Sequence, residues 1–313
     1  MRRGLAFCIA STLVGFTYWL PAQSKPDISD QQVIDDGYRV KVTANWIHLN
    51  TSVWDPRRKA SVEGLGKEDF LLYENGVVQQ VETCLPGDEP FHLLLLFDVS
   101  ASTSAYIKLM RQAALHFAER LKPRDELAIF EFSSSVRCLL PFTSRRQAVS
   151  AAVGRLASAD TTCLYDALLH SLGCLESIHG RKAMVVFSDG ADNRLIDRRH
   201  GSSAGFSDVQ RALPEADCLV YVVFLSPRGT QGADPTIELA AAQLRALAEE
   251  SGGRVFTPQR PRELARAYEE IAEDLRHIYT LAYRRRGGLE GRYALRVEVK
   301  GRPGLSVRVG SGS

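Results

Sequence analysis

Residues 93–102 have the sequence Leu-Leu-Leu-Leu-Phe-Asp-Val-Ser-Ala-Ser, in which an apolar run ends in oxygen-bearing side chains. A run without polar interruption is typical of a strand covered on both faces, as in the parallel sheets of α/β proteins. A second such run spans residues 183–187 and leads into Ser188 and Asp189. Both segments therefore predict buried strands, and each strand ends in candidate functional residues.

Strand patterns alternate with helical patterns around these two runs. We expect further strands at 127–132, 136–140, 218–225 and 254–256, and helices at 107–121, 145–156, from 164 onward, at 208–213, 237–247 and 263–278. Such alternation predicts an α/β fold with a doubly wound, mostly parallel sheet flanked by helices. Sites in this fold class lie outside the carboxyl ends of the strands.

The segment before the α/β region has the period of two that is typical of half-buried strands. Tyr38 to Trp46 alternates apolar with polar side chains. The segments 70–73 and 77–81 flank Asn75-Gly76, a strong signal for a tight hairpin. The N-terminal region therefore predicts a small β module that needs a partner sheet, because it is short for an independent domain.

Alternation returns near the other end of the chain, at 293–299 and 305–309. A turn signal at 301–304 separates the two segments, so we expect a C-terminal hairpin. We expect this hairpin to pack with the N-terminal strands. The two chain ends would then form one small β-sandwich-like domain, with the α/β domain inserted in it.

The composition excludes several functional classes. The chain is 45% hydrophobic and 24% charged, which is typical of a globular protein and not of a disordered or fibrous one. Without Arg2 and Arg3 the basic residues would equal the 37 acidic residues. A chain without charge excess has no general attraction for nucleic acid or anionic membrane. The function is therefore expected in a local site.

The first 24 residues have the pattern of a secretory signal peptide. Arg2 and Arg3 precede an uncharged apolar stretch from Gly4 to Leu20, and small residues at 22 and 24 suit cleavage after Ser24. We expect a secreted or periplasmic protein with no membrane span after cleavage. The alternative is an uncleaved N-terminal anchor, because the apolar stretch is at the lower limit for a span.

Side chains with oxygen donors lie at the ends of three predicted elements. Asp98, Ser100 and Ser102 come at the end of the first apolar strand, Thr162 comes just before the helix from 164, and Asp189 follows the strand at 183–187. Two carboxylates and three hydroxyls form an all-oxygen donor set that suits Mg²⁺ or Mn²⁺. Taken singly, each residue has a simpler interpretation, since Asp, Ser and Thr often cap helices. Their common order at the ends of strands favours a metal site.

These motifs resemble the metal-ion-dependent adhesion site of von Willebrand factor type A domains. The resemblance rests on residues 98–102, 162–168 and 187–190 and covers roughly 89–280. The flanking segments 62–76 and 279–283 extend the similarity to the bacterial type-A-related family first recognised in acidobacteria. The implied domains are a signal peptide at 1–24, a β module at 25–88, the type A domain at 89–280 and the C-terminal hairpin at 281–313.

The resemblance implies a role for each residue of the site. Ser100, Ser102 and Thr162 would give hydroxyl oxygens, Asp98 would bind the ion directly or through water, and Asp189 through water. Two positions depart from the common pattern: Ala101 replaces a frequent Gly, and Asp160-Thr161 replaces Gly-Gly. The second departure makes Thr162 the least secure ligand. Asp166 is expected to make local contacts and not to bind the ion.

The implied function is metal-dependent protein binding, as in an adhesion or scaffold protein, with an Asp or Glu of the partner completing the metal shell. One alternative is a hydrolase that uses the cation as a Lewis acid. Hydrolysis also needs a general base or nucleophile beside the metal, and the three loops offer no His or Lys for that role. We therefore expect no enzyme. Another alternative is a structural envelope module with an idle metal site.

Overall fold

The computed structural model describes residues 33–35, 38–40, 45–58, 60–85, 90–159, 161–190, 192–195, 201–225, 235–285 and 294–310. The chain divides into two units, Met1–Ala44 and Asn45–Ser313. In the first unit, strands β1 (Val33–Asp35) and β2 (Tyr38–Val40) form an antiparallel pair. The proposed signal peptide lies outside the described residues.

The second unit contains all the remaining elements. Its strands are β3 (Asn45–Asp55), β4 (Ala60–Ser61), β5 (Phe70–Glu74), β6 (Val77–Gln79), β7 (Val81–Leu85), β8 (Phe91–Asp98), β9 (Glu126–Phe132), β10 (Val136–Thr143), β11 (Arg181–Ser188), β12 (Leu219–Phe224), β13 (Val255–Phe256), β14 (Ile278–Arg285), β15 (Leu295–Val299) and β16 (Ser306–Val309). Its helices are α1 (Ile107–Arg120), α2 (Gln147–Gly154), α3 (Leu164–Glu176), α4 (Phe206–Ala216), α5 (Pro235–Glu250) and α6 (Pro261–Arg276). In the described part of the chain, none of the helices combines the length and the apolar character needed to cross a membrane.

The central sheet has six strands in the order β10-β9-β8-β11-β12-β13. Only β10 runs antiparallel to its neighbour among these described strands. Helices cover both faces: α1, α2 and α6 pack on one face, and α3, α4 and α5 on the other. The predicted α/β architecture, a mostly parallel sheet flanked by helices, is confirmed.

Strand β8 shows why the apolar run was informative. Leu93, Leu95 and Phe97 belong to the core under α1 and α6, whereas Leu94 and Leu96 belong to the core under α3. All five side chains are fully buried. Because both faces of this strand are covered, every position must be apolar until the strand ends at Asp98.

The remaining strands form two sheets, ordered β16-β3-β14-β7 and β15-β5-β6, with β4 paired to β3. A third apolar cluster, which includes Leu49, Leu72 and Leu281, draws side chains from both sheets. Strand β3 comes before the α/β region and β14 after it, and they pair along the whole length of β14. The strands of the two chain ends are therefore joined by direct hydrogen-bonded pairing.

The predicted hairpin around Asn75-Gly76 is confirmed, because β5 and β6 pair antiparallel across it. Asn75 and Gly76 have φ angles of 49° and 81°. These positive values are those that a tight hairpin turn requires and that Asn and Gly adopt at low cost.

The predicted C-terminal hairpin is wrong. Strand β15 pairs with β5, and β16 pairs with β3, so the two strands lie in different sheets. Their alternating patterns are explained by the shared apolar cluster, in which Val297 is buried and Val307 partly buried. The backbone N–H of Lys300 donates to the carbonyl oxygen of Asp69 at 2.8 Å, which fixes the end of β15 on the β5 side.

Helix α6 is joined to the C-terminal strand by a buried ionic contact, which we call the seam. Asp274 of α6 is 2% exposed and accepts hydrogen bonds from Arg308 Nη2 at 2.6 Å and from the Tyr221 hydroxyl at 3.4 Å. Arg254 lies 3.9 Å from the same carboxylate. Two guanidinium groups therefore surround one buried carboxylate.

Candidate metal centre

Four of the five predicted ligands, all but Thr162, lie at or just after the carboxyl ends of two adjacent parallel strands. Strands β8 and β11 pair in register up to Phe97 and Phe187, one residue before Asp98 and Ser188. The turns that follow both strands are therefore side by side. Asp98 is fully buried and Asp189 is 6% exposed.

The first turn fixes Asp98 and the two serines as one unit. The backbone N–H of Ser100 donates to Asp98 Oδ1 at 3.0 Å, and the hydroxyl oxygens of Ser100 and Ser102 lie 3.1 Å apart. The buried Thr103 hydroxyl lies 2.7 Å from the carbonyl oxygen of Asp98, which holds the start of the 3₁₀ turn Ala101–Tyr106. The two serine hydroxyls are thus close enough to share a ligand.

The second turn brings the other carboxylate. The Ser188 hydroxyl donates to Asp98 Oδ2 at 2.7 Å and accepts the backbone N–H of Gly190 at 2.9 Å. Gly190 has a φ of 85°, and a Cβ there would lie 2.8 Å from the Phe224 ring. Glycine is therefore required directly after Asp189.

Thr162 is set by its backbone at the start of α3. The carbonyl oxygen of Thr162 accepts a hydrogen bond from the backbone N–H of Asn193 at 3.0 Å. The backbone N–H of the following residue, Cys163, donates to the carbonyl oxygen of Ser133 at 2.7 Å. The loop before Thr162 is joined to the first turn by a hydrogen bond from the backbone N–H of Ala159 to the carbonyl oxygen of Val99, at 2.8 Å. Thr162 is 4% exposed. Three loops therefore hold this residue, whereas Asp160 lies outside the described residues.

The electrostatics of the site fit a cation. Burial and the nearby charge of Asp189 raise the pKa of Asp98 to about 7, while hydrogen bonds from Ser100 and Ser188 lower it. In the described part of the chain, the groups that shift this pKa include no cationic side chain. Two like charges buried together are costly, and a divalent cation between them would offset that cost.

Hard oxygen donors would have to hold such an ion. Among the described residues no three His, Cys, Asp or Glu side chains form a group suited to a metal. The two carboxylates would therefore need the hydroxyls of Ser100, Ser102 and Thr162. A donor set of this kind matches the preference of Mg²⁺ and Mn²⁺ for oxygen. The ligand set itself stays a prediction.

Two further carboxylates near the site have structural partners. Asp166 accepts the backbone N–H groups of Ser203 and Ala204, both at 2.9 Å, in agreement with its expected local role. Asp192 was not singled out in the sequence, although it is fully buried. It accepts the N–H of Tyr165 and the N–H and hydroxyl of Ser202. These contacts fix Asp192 and residues 202–204 against the start of α3.

Residues 93–191 match a family model described as the von Willebrand factor type A domain. This part of the α/β region matches the type A domain. This recognition, made first from the motifs, is confirmed for the matched segment. The wider resemblance of the flanking strands to the acidobacterial family stays a prediction.

Curated relatives of the type A region include two proteins named UPF0353 from Mycolicibacterium paratuberculosis. They are 25% and 24% identical over 199 and 213 residues, which cover 58% and 62% of this chain. The alignments span 60% of the length of each relative.

Solved structures with a similar fold include a von Willebrand factor type A protein from Catenulispora acidiphila, with 12% identity and a TM-score of 0.48 over 88% of this chain and 76% of that one. Another is the von Willebrand factor domain of the type V pili tip protein Mfa5 from Porphyromonas gingivalis. It has 12% identity and a TM-score of 0.45, and the match covers 59% of this chain and 94% of that one.

Proposed function

We propose that this chain is an exported protein that binds another protein through a divalent cation. The cation, Mg²⁺ or Mn²⁺, would be held by Asp98, Ser100, Ser102, Thr162 and Asp189. The partner would supply an Asp or Glu carboxylate as a further ligand. Export is proposed from the signal-peptide pattern of residues 1–24.

One observation carries the proposal: two buried carboxylates of like charge share a site with two hydroxyl oxygens 3.1 Å apart. Buried charges in proteins are normally paired or bound to a metal. The hydroxyls give the site neutral donors for the same ion. A divalent cation would be bound by the carboxylates and the hydroxyls together.

The donor set also explains why the partner would be acidic. Hydroxyl ligands are neutral, so they do not cancel the charge of a divalent ion. Mg²⁺ keeps several waters when protein ligands are few. A partner carboxylate can replace one water and form a charged contact, which is stronger than a neutral one.

Calorimetric titration with Mg²⁺ and Mn²⁺ tests the metal site. We expect the wild type to bind and Asp98→Ala to show no binding. Asp217→Asn is the matched control, because it also removes a carboxylate with limited exposure but at the C-terminal end of α4, at the other end of the central sheet from the predicted ligands. Equal binding by wild type and Asp98→Ala would reject the site.

Water-proton relaxation of the Mn²⁺-loaded protein tests the partner chemistry. We expect the peptide Gly-Asp-Gly, acetylated at its N-terminus and amidated at its C-terminus, to displace a metal-bound water and lower the relaxation rate, and the equally capped Gly-Asn-Gly to have no effect. If Mn²⁺ binds and neither peptide changes the rate, the metal site is idle towards carboxylates. That result would favour the structural envelope module.

A further inference from the structure

We propose that Ser188 is a positioning residue that holds the two carboxylates of the metal centre in place before the cation binds. This inference rests on the proposed function and assigns a role to a side chain outside the predicted ligand set. Ser188 is the last residue of β11 and is fully buried.

The hydroxyl of Ser188 contacts both halves of the centre. Its proton is directed to Asp98 Oδ2 at 2.7 Å, across the boundary between β11 and β8. One of its lone pairs accepts the N–H of Gly190 at 2.9 Å. Because one hydroxyl has a single proton, these two contacts fix the direction of donation towards the carboxylate.

The contact with Gly190 also sets the position of Asp189. A hydroxyl that accepts the N–H two residues later closes a small turn around the residue between them. Here that residue is Asp189. The turn cannot shift towards the core, because Gly190 already approaches Phe224 and Ala240 closely enough to exclude a Cβ.

Asp98 is held from both sides as a result. Its Oδ1 accepts the N–H of Ser100, and its Oδ2 accepts the hydroxyl of Ser188. Without the second contact, the Asp98 carboxylate could rotate away from the like charge of Asp189. The cation would then have to restore the arrangement as it binds, and its affinity would fall.

Substitutions of groups that orient metal ligands commonly cost about 10-fold to 100-fold in metal affinity. We expect a loss of this size for Ser188→Ala, which removes only the hydroxyl. The change in melting temperature of the metal-free protein should be small, since one like-charge contact is relaxed while two hydrogen bonds are lost.

The experiment measures Mn²⁺ affinity by electron paramagnetic resonance and metal-free melting temperature for wild type, Ser188→Ala and Ser171→Ala. Ser171 is the matched control. It lies fully buried in α3, and its hydroxyl has no hydrogen-bond partner among the described residues. The control should bind Mn²⁺ as the wild type does.

A loss of affinity in Ser188→Ala without a matching fall in melting temperature supports the proposal, because a purely structural role would lower both together. Affinity within twofold of the wild type would overturn it. If Ser188→Ala does not fold, Ser188→Cys in reducing buffer decides by the same two criteria. If the wild type itself binds no Mn²⁺, the proposed function fails and this inference with it. Wild-type binding with an unaffected variant overturns only the role of Ser188.

Discussion

The metal centre and the seam each bury a carboxylate almost completely, but they treat its charge in opposite ways. Asp274 at the seam has Arg308 at 2.6 Å and Arg254 at 3.9 Å. Asp98 at the metal centre has hydroxyl and backbone donors, and its nearest influential charge is that of Asp189. The seam carries its own counter-charge, whereas under the proposed function the candidate centre would bind a cation from solution.

The groups around a buried carboxylate thus indicate whether its role is structural, as proposed for Asp274, or functional, as proposed for Asp98. A buried carboxylate between two guanidinium groups stabilises a fixed contact, and its removal takes a counter-charge from both groups. A buried carboxylate beside another acid weakens the metal-free fold and strengthens the binding of a cation. The following substitutions test this contrast.

Asp274→Ala is expected to have the largest effect. It leaves Arg308 and Arg254 without their shared carboxylate, and breaking a buried ion pair costs about 3 kcal/mol or more of unfolding free energy. Urea unfolding measures this loss. Arg266→Ala on the same helix is the control, because the Arg266–Glu270 pair is exposed on the Arg266 side and worth about 0.5 kcal/mol. A similar loss in both variants would contradict the contrast.

Asp217→Asn is expected to stabilise the protein at neutral pH. Burial raises the pKa of Asp217 to about 6, while the charges of Lys182 and His48 lower it. The folded pKa is above the unfolded one, so the charged form is penalised on folding, and stability falls as the pH rises from the unfolded pKa near 4 to the folded pKa of about 6. At about 1.36 kcal/mol per unit of pKa, and allowing for partial exposure, the gain is about 2 kcal/mol at neutral pH.

Unfolding curves at several pH values test whether Asp217→Asn stabilises the protein as predicted. The difference between Asp217→Asn and wild type should disappear below the unfolded pKa, near pH 4. The new residue also suits the backbone, because residue 217 has a φ of 44° and Asn adopts positive φ more readily than most residues. A gain that persists unchanged at low pH would show that the backbone preference alone is responsible.

Asp98→Asn should have the smallest effect on the metal-free protein, with a sign opposite to that of Asp274→Ala. Removing one of two buried like charges is favourable, but the amide cannot accept all the hydrogen bonds of the carboxylate. We expect a net gain of about 1 kcal/mol in EDTA. Saturating Mg²⁺ should stabilise wild type but not the variant, by about 2.7 kcal/mol at 100 times the dissociation constant. A loss of stability in EDTA would place Asp98 with Asp274 as a structural carboxylate.

The sequence was most informative where one pattern had one structural meaning. The run at 93–97 could only be a strand buried on both faces, and Asn75-Gly76 could only make a tight turn. The same patterns located Asp98 and Asp189 at strand ends, which the sheet then placed together.

Other features depended on contacts between distant segments. The alternation at 305–309 predicts a half-buried strand correctly, but it does not say whether β16 pairs with β15 or β3. The strand predicted from Tyr38 to Trp46 corresponds to two strands, β2 and the first residues of β3, and β3 continues to Asp55. Ser188 looked like a motif neighbour of Asp189 until the structure showed its hydroxyl on Asp98, which is 90 residues away. Asp192 gave no signal because its partners come from α3 and from residue 202.

The pairing of Leu85 with Thr280 has a consequence for how the molecule could be engineered. The chain leaves the β sheets for the α/β region just after β7 and returns at β14, so exit and re-entry are neighbours. The whole type A region is thus a cassette inserted between β7 and β14, and the candidate metal centre lies at the carboxyl ends of its strands β8 and β11. A short turn that joins residue 85 to residue 278 could replace the cassette. The same junction offers a site for circular permutation.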